Sequence, residues 1–267
     1  HGKNIPFRFG LTGTLPKEAA DAMAVHTAVG YPQYEIAAHE LIAQDFLAKL
    51  HIDVVQLQED FRGQYEKYLA DHADNPVGSF AVEKPLTYNK FKEALYPDYP
   101  AEKSYISTHN PERMEWIAMY IEAKRDMGKG NVFCLVDSIR FGKKLATLIP
   151  GAHFVYGKDE QAARKEIYDL FKDNDNVVAI ATVNIASTGL NIKRIFNLIY
   201  IDMGKSFIRT IQTIGRGLRK APDKDSINVT DICSDMKYAK KHLAERIGFY
   251  KEARYPYKKI VVDNWVE

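Results

Sequence analysis

The stretch VVAIATVNIASTGLNIKRIFNLIYID, residues 177–202, decides how this chain is read. It opens and closes with short β-branched runs, Val177 to Thr182 and Phe196 to Ile201, each bounded by turn residues, and both read as strands. The first run ends in Ala181-Thr182 and leads into Ser187-Thr188-Gly189-Leu190-Asn191. A hydroxyl at the carboxyl end of a strand is well placed for a phosphate, and a glycine lets backbone approach a ligand closely. The same residues also describe an ordinary Ser/Thr helix cap and turn, so neighbouring segments have to decide.

Working outward, Phe7 to Thr12, Ile52 to Leu57, Asn131 to Val136, His153 to Tyr156 and Ile227 to Ile232 are further strand candidates. Segments of helical length and period lie between the later ones: Pro111 to Met127, Ser138 to Leu148, Asp159 to Phe171 and Ser206 to Leu218. Strands alternating with helices predict an α/β fold, a doubly wound parallel sheet with helices on both faces. The regular unit runs from about residue 107 to about 235, and its ligands should gather at the carboxyl ends of the strands. Residues 61–105 differ, with six tyrosines interspersed with Lys and Pro, and read as a peripheral inserted segment with two short helices. From 235 to 267 comes a basic helical tail, followed within it by a strand candidate at Ile260 to Val262. Its Lys237, Lys240, Lys241 and Arg246 are expected on a solvated helix face or against DNA.

Composition narrows the classes. The chain has 267 residues, 46% apolar, with 37 basic and 35 acidic side chains, so no global field announces a nucleic-acid partner. Cys134 and Cys233 are the two cysteines, without CxxC or Cys/His clustering, which argues against a disulfide scaffold and a structural zinc site. A reducing, cytoplasmic setting fits that usage. The apolar runs reach about seven residues where about 20 would span a bilayer, so no membrane partner is expected.

Downstream, QTIGRGLRK at 212–220 places Arg216 and Arg219 three apart behind Gln212, on one face if the segment is helical. Gly215 and Gly217 would each weaken such a helix by roughly 1 kcal/mol against alanine, which a purely structural helix has no reason to accept. Guanidiniums grip phosphate oxygens at two points, and an arginine delivered to a γ-phosphate accelerates its transfer by about 10³ to 10⁵. A solvated basic face is the plainer account of an isolated RxxR. A third piece, RFGLTGTLP at 8–16, is a strand ending in Thr12-Gly13-Thr14.

In this order and spacing the pieces resemble the second half of a superfamily 2, DExH-type helicase. LTGT looks like motif III at the end of a first RecA-like domain, Asn131 to Val136 with Asp137-Ser138 like motif IV, ATVNIASTGLNI like motif V and QTIGRGLR like motif VI. The chain resembles the UvsW type of phage recombination-repair helicases and their DExH relatives. The resemblance implies a RecA-like fold, with residues 1–30 as the closing strand of the first domain plus linker, and 31–267 as the second domain.

It also implies roles. Arg216 and Arg219 would be arginine fingers on ATP, with Gln212 bonding beside them; Gly189, Asn191 and Gly215 would lie near the nucleotide. Relatives often carry Asp where Asn191 stands. Thr182, Ser138 and Arg140 would hold the nucleic-acid backbone, while Thr12, Gly13 and Thr14 would couple hydrolysis to domain movement. ATP and Mg²⁺ would be bound mainly by an N-terminal RecA-like domain of the same parent chain, with DNA as the other partner.

No P-loop accompanies these motifs: Gly204-Lys205-Ser206 has Ile199 where GxxxxGK[ST] needs its first glycine. Asp159-Glu160-Gln161-Ala162 imitates a DExx box but follows motif IV and reads as helix N-terminal acids. His39-Glu40 lacks the second histidine of a zinc motif. The expectation is a C-terminal motor piece that does not hydrolyse ATP by itself. A nucleic-acid-binding module whose insertion stacks bases, and the motor half of an RNA helicase or restriction-type translocase, stand as alternatives.

Overall fold

The computed structural model describes residue 10 and residues 19–74, 84–127, 130–156, 160–183, 185, 192–204, 214–215, 218–263 and 265. Seven strands form one sheet: β1 (Lys49–Leu57), β2 (Val132–Val136), β3 (Ala152–Val155), β4 (Val178–Thr182), β5 (Asn197–Ile201), β6 (Ser226–Ser234) and β7 (Tyr257–Val262). Their order is β3-β4-β2-β5-β6-β1-β7, and every neighbouring pair is parallel.

β2 and β5 are largely apolar because both their faces are covered; all five residues of each are buried. Alternation along β2 feeds two cores. Phe133 and Leu135 join Ile167 and Phe171 of α8 (Glu160–Asp173) and Leu243 and Tyr250 of α9 (Lys237–Glu252). Val132, Cys134 and Val136 face the other way, toward Ile117 and Ile121 of α6 (Pro111–Asp126) and Phe141 and Leu145 of α7 (Ile139–Leu148). The helices therefore lie on both faces, as RecA-like winding requires. Cys134 and Cys233 are buried free thiols belonging to opposite cores. Gly142 brings α7 close to β3, since a Cβ there would meet the Phe154 ring at 2.2 Å.

The sheet is wider than the unit of 107–235. β1 pairs with β6 over nine positions, Lys49↔Ser226 to Leu57↔Ser234, and β7 adds beyond β1. The nine-residue β6 is buried at most positions, and β1 covers the edge that it would otherwise expose. Before β1 lie α1 (Ala19–Val29) and α2 (Ala38–Ala43).

Among the described residues of 61–105 there are three helices where two were expected: α3 (Arg62–Asp74), α4 (Tyr88–Leu95) and α5 (Tyr99–Ser104), the last continued by a π-helical turn over Tyr105–His109. Asp98 caps α5 and Asn110 caps α6, each with a proline in the following first turn, so two closely spaced caps leave room for a short extra helix. The tyrosines are turned on themselves. They surround a third core of Phe61, Phe91, Ile106 and Met236, with Tyr96 and Tyr105 ring centroids 4.6 Å apart. Their hydroxyls are also engaged: Tyr65 donates to the Leu86 carbonyl, and Tyr88 accepts from the Phe61 amide.

Candidate functional site

At the carboxyl edge of the sheet, β2 and β4 end side by side, with Val136 paired to Thr182. Adjacent strands lie about 4.8 Å apart, so Thr182 and the Asp137-Ser138 turn leave the sheet as neighbours. Ser138 is the N-cap of α7, its Oγ accepting from the Phe141 amide at 3.3 Å. That bond uses an acceptor lone pair and not the hydroxyl proton. Arg140 follows in the first turn of α7 and is exposed, and Lys143 lies over the Tyr156 ring at 4.2 Å. Asp137 is not a spare acid, since Lys103 of α5 meets it at 3.1 Å. Beside them a small cavity opens between α5, the β2 and β5 ends and α9, lined by Lys103, Ser138, Phe141, Met203 and His242 among others.

Behind this edge lie two buried arginines that sequence reasoning missed or misplaced. Arg113, fully enclosed, bonds Glu59 at 3.1 Å and takes both oxygens of Asp202 at 2.6 and 2.7 Å. Burial pushes the Glu59 and Asp202 carboxyls up, against the pull of Arg113; for Arg113 itself burial disfavours the charge, but the two carboxylates outweigh it. Arg246, expected on a basic surface, is 1% exposed and takes both oxygens of Asp231. Its neighbours on α9 explain the correction: Leu243, Arg246 and Tyr250 share one buried stripe, and that spacing was the available signal.

The arginine segment of motif VI sits elsewhere. Ile214 and Leu218 are buried in the α8/α9 core and joined by a helical backbone bond of 3.0 Å, while Gly215 and Arg219 are exposed. The Leu218 carbonyl accepts from the Ala48 amide at 2.8 Å, so Arg219 stands at the amino end of β1, away from Thr182 and Ser138. Among the described residues nothing lies within 4 Å of where a Gly215 Cβ would be. Gln212, Arg216, Gly189, Asn191, Thr12, Gly13 and Thr14 lie outside the described residues. Among the described residues no three His, Cys, Asp or Glu side chains gather to hold a metal, and no helix is long and apolar enough to cross a membrane. The donors present among the described residues, guanidinium and hydroxyls, are of the kind that hold phosphate oxygens.

The fold is that of a RecA-like helicase C-terminal domain, and residues 112–221 match the helicase conserved C-terminal domain. Within that class the chain is similar to the ATP-dependent DNA helicase UvsW of Enterobacteria phage T4, 25% identical over 224 residues, which are 68% of this chain and 44% of the relative. The crystal structure of T4 UvsW superposes with a TM-score of 0.54 at 19% identity, over 81% of this chain and 42% of that one. The fold also matches the ATP-dependent Type ISP restriction-modification enzyme LlaBIII bound to DNA, with a TM-score of 0.54 at 11% identity over 91% of this chain and 17% of that one. The chain thus spans less than half the length of the curated relatives it matches.

Proposed function

We propose that this chain is the second motor domain of an ATP-driven DNA helicase or translocase acting in recombination, repair or branched-DNA remodelling. ATP and Mg²⁺ are bound mainly by an N-terminal RecA-like domain, and Arg216 and Arg219 close on the γ-phosphate as charge develops there. Gln212, Gly189, Asn191 and Gly215 line the nucleotide; Thr12, Gly13 and Thr14 couple its hydrolysis to domain movement. Ser138, Thr182 and Arg140 hold backbone phosphates of one strand, and alternating closure and opening moves that grip along it.

The observation that carries this reading is the division of labour within one helicase-type domain. Thr182 and Ser138 leave adjacent, register-paired strands at one edge, while Arg219 is presented with Gly215 on a separately anchored segment. A motor needs both, a backbone grip and a nucleotide trigger, on one rigid body. Open space around Gly215 also supports the close approach of a ligand, since packing among the described residues does not demand glycine there. The tyrosines of 61–105 are packed and hydrogen-bonded internally, which weakens the alternative of a base-stacking module. The relative's name as a DNA helicase favours DNA over RNA. Such a motor works in the cytoplasm, in the host's if it is phage-encoded.

The test is ATP hydrolysis by the intact protein with branched DNA, duplex DNA or RNA, beside the same assay on this 267-residue chain. DNA-stimulated turnover by the intact protein and none by the chain alone is expected. Turnover by the chain alone would overturn the half-motor reading, and stimulation by RNA only would overturn DNA as the track.

A further inference from the structure

Strand β5 ends at Ile201, and the chain then turns through Asp202, Met203 and Gly204 before continuing toward Gln212 and the motif VI arginines. This short turn is gripped from two sides by the two largest fully buried side chains among the described residues, Arg113 and Arg246. From α6, Arg113 takes both carboxylate oxygens of Asp202. From α9, Arg246 donates to the Met203 carbonyl, and also to the Gly204 carbonyl at 3.4 Å, while its other face is fixed by Asp231. Asp202 itself has φ 49°, a left-handed conformation that L residues seldom hold without external support. Asp tolerates it better than most, and here its side chain is the handle by which Arg113 holds the turn.

Each arginine is anchored again behind the turn. Glu59, two residues past the end of β1, bonds Arg113 and accepts from Asn110, the cap of α6; Tyr105 of the π-helical turn also donates to Glu59, at 3.4 Å. Tyr250 donates to Asp231 at 2.9 Å. A solvated turn between a strand and a following segment needs none of this. Two buried guanidiniums on three consecutive residues fix where the chain leaves the sheet.

We infer that Arg113 and Arg246 are positioning residues: they clamp the Asp202–Gly204 turn so that the arginine segment that follows it meets the nucleotide at a fixed angle. The inference rests on the motor reading for its consequence, but the clamp itself can be read without any activity. Neither arginine touches ATP or DNA in this scheme. Arg113 comes from α6 and Arg246 from α9, so both helices together set the position of the turn.

The test uses the intact protein with Asp202→Asn, which keeps the side-chain shape and tolerance of positive φ but loses the charge, and Arg113→Met/Asp202→Asn, which removes the charged contact from both sides. Two quantities are read: amide hydrogen exchange in peptides spanning Met203 to Leu218, and DNA-stimulated kcat with KM for ATP and Kd for DNA. Exchange in those peptides should rise about tenfold or more with β5 and β6 unchanged, and kcat should fall at least tenfold while KM and Kd stay within twofold. Unchanged exchange in Asp202→Asn and in the folded double variant would overturn the clamp. Faster exchange with kcat intact would overturn its positioning role. If the double variant does not fold, Asp202→Asn decides on the same two readings. An unmutated protein that hydrolyses no ATP would sink the motor reading and with it the positioning role, leaving the clamp to exchange alone.

Discussion

Arg246 and Asp231 face each other in a two-point contact, 2.8 and 2.9 Å, with neither side chain open to water. Tyr250 completes the acceptor's shell. Removing one member strands the other: Arg246→Ala leaves a buried carboxylate and should destabilise the fold by about 3–5 kcal/mol. Removing both charges at once, Arg246→Met with Asp231→Asn, should lose less than either single change. Urea unfolding of the four proteins measures this, and a double variant no better than Arg246→Ala would show that the pair does not behave as a coupled unit.

Arg219 is exposed, and its backbone is held on both sides, the neighbouring Leu218 carbonyl by Ala48 and its own carbonyl by Lys224. In the intact protein Arg219→Ala should reduce DNA-stimulated ATP hydrolysis by about 10³ or more, with DNA affinity preserved. Steady-state kinetics with DNA binding measured in parallel decides it; a variant that keeps full turnover rules out the finger role.

The two candidate backbone contacts on α7 should separate by their salt dependence. Arg140→Ala removes an exposed cation, so binding should weaken and the slope of log K against log salt should shrink by about 0.7 to 0.9. Ser138→Ala removes a neutral hydroxyl that also caps α7. Its affinity should drop without a change of slope, together with about 1 kcal/mol of stability. Fluorescence anisotropy across a salt series gives both numbers, and equal slopes in all three proteins would remove Arg140 from the interface.

Much of this fold was legible because a parallel sheet buried on both faces leaves largely apolar runs, and β2, β4 and β5 are such runs. β7 was read only at its end, Ile260 to Val262, because an edge strand needs no long apolar run; Lys258 and Lys259 face water. The hydroxyl and arginine motifs were visible because each is a short local pattern: Ser138 and Arg140 lie just past the end of β2, Thr182 closes β4, and Arg216 and Arg219 stand three apart. The Arg113–Asp202 and Arg113–Glu59 contacts span 89 and 54 residues. No local pattern marks a partner so far away, and an arginine in a first helical turn looks like any solvated one. Arg246 was misread on the same ground, although the stripe of Leu243 and Tyr250 around it carried the correction.

Lys224 supplies a prediction in pH. It is 4% exposed, its Nζ donates to the Arg219 carbonyl at 3.2 Å, and burial lowers its pKa from 10.5 to about 8, against the smaller opposing pull of Asp223. Between those two values the unfolded chain holds a proton that the folded chain has shed, so stability should rise as pH climbs from 8 to 10.5. Below pH 8 both states are charged and the penalty is constant, up to roughly 3 kcal/mol at about 1.4 kcal/mol per pH unit. Tyrosines and cysteines titrate in the same range, so the comparison is with Lys224→Gln, in which this contribution is absent. Urea unfolding at pH 7 and pH 10 should give the unmutated protein the larger gain, by about 1 to 3 kcal/mol over the variant. Equal pH responses in the two proteins would mean that Lys224 keeps an ordinary ammonium, and that the turn behind Arg219 is wetter than its burial indicates.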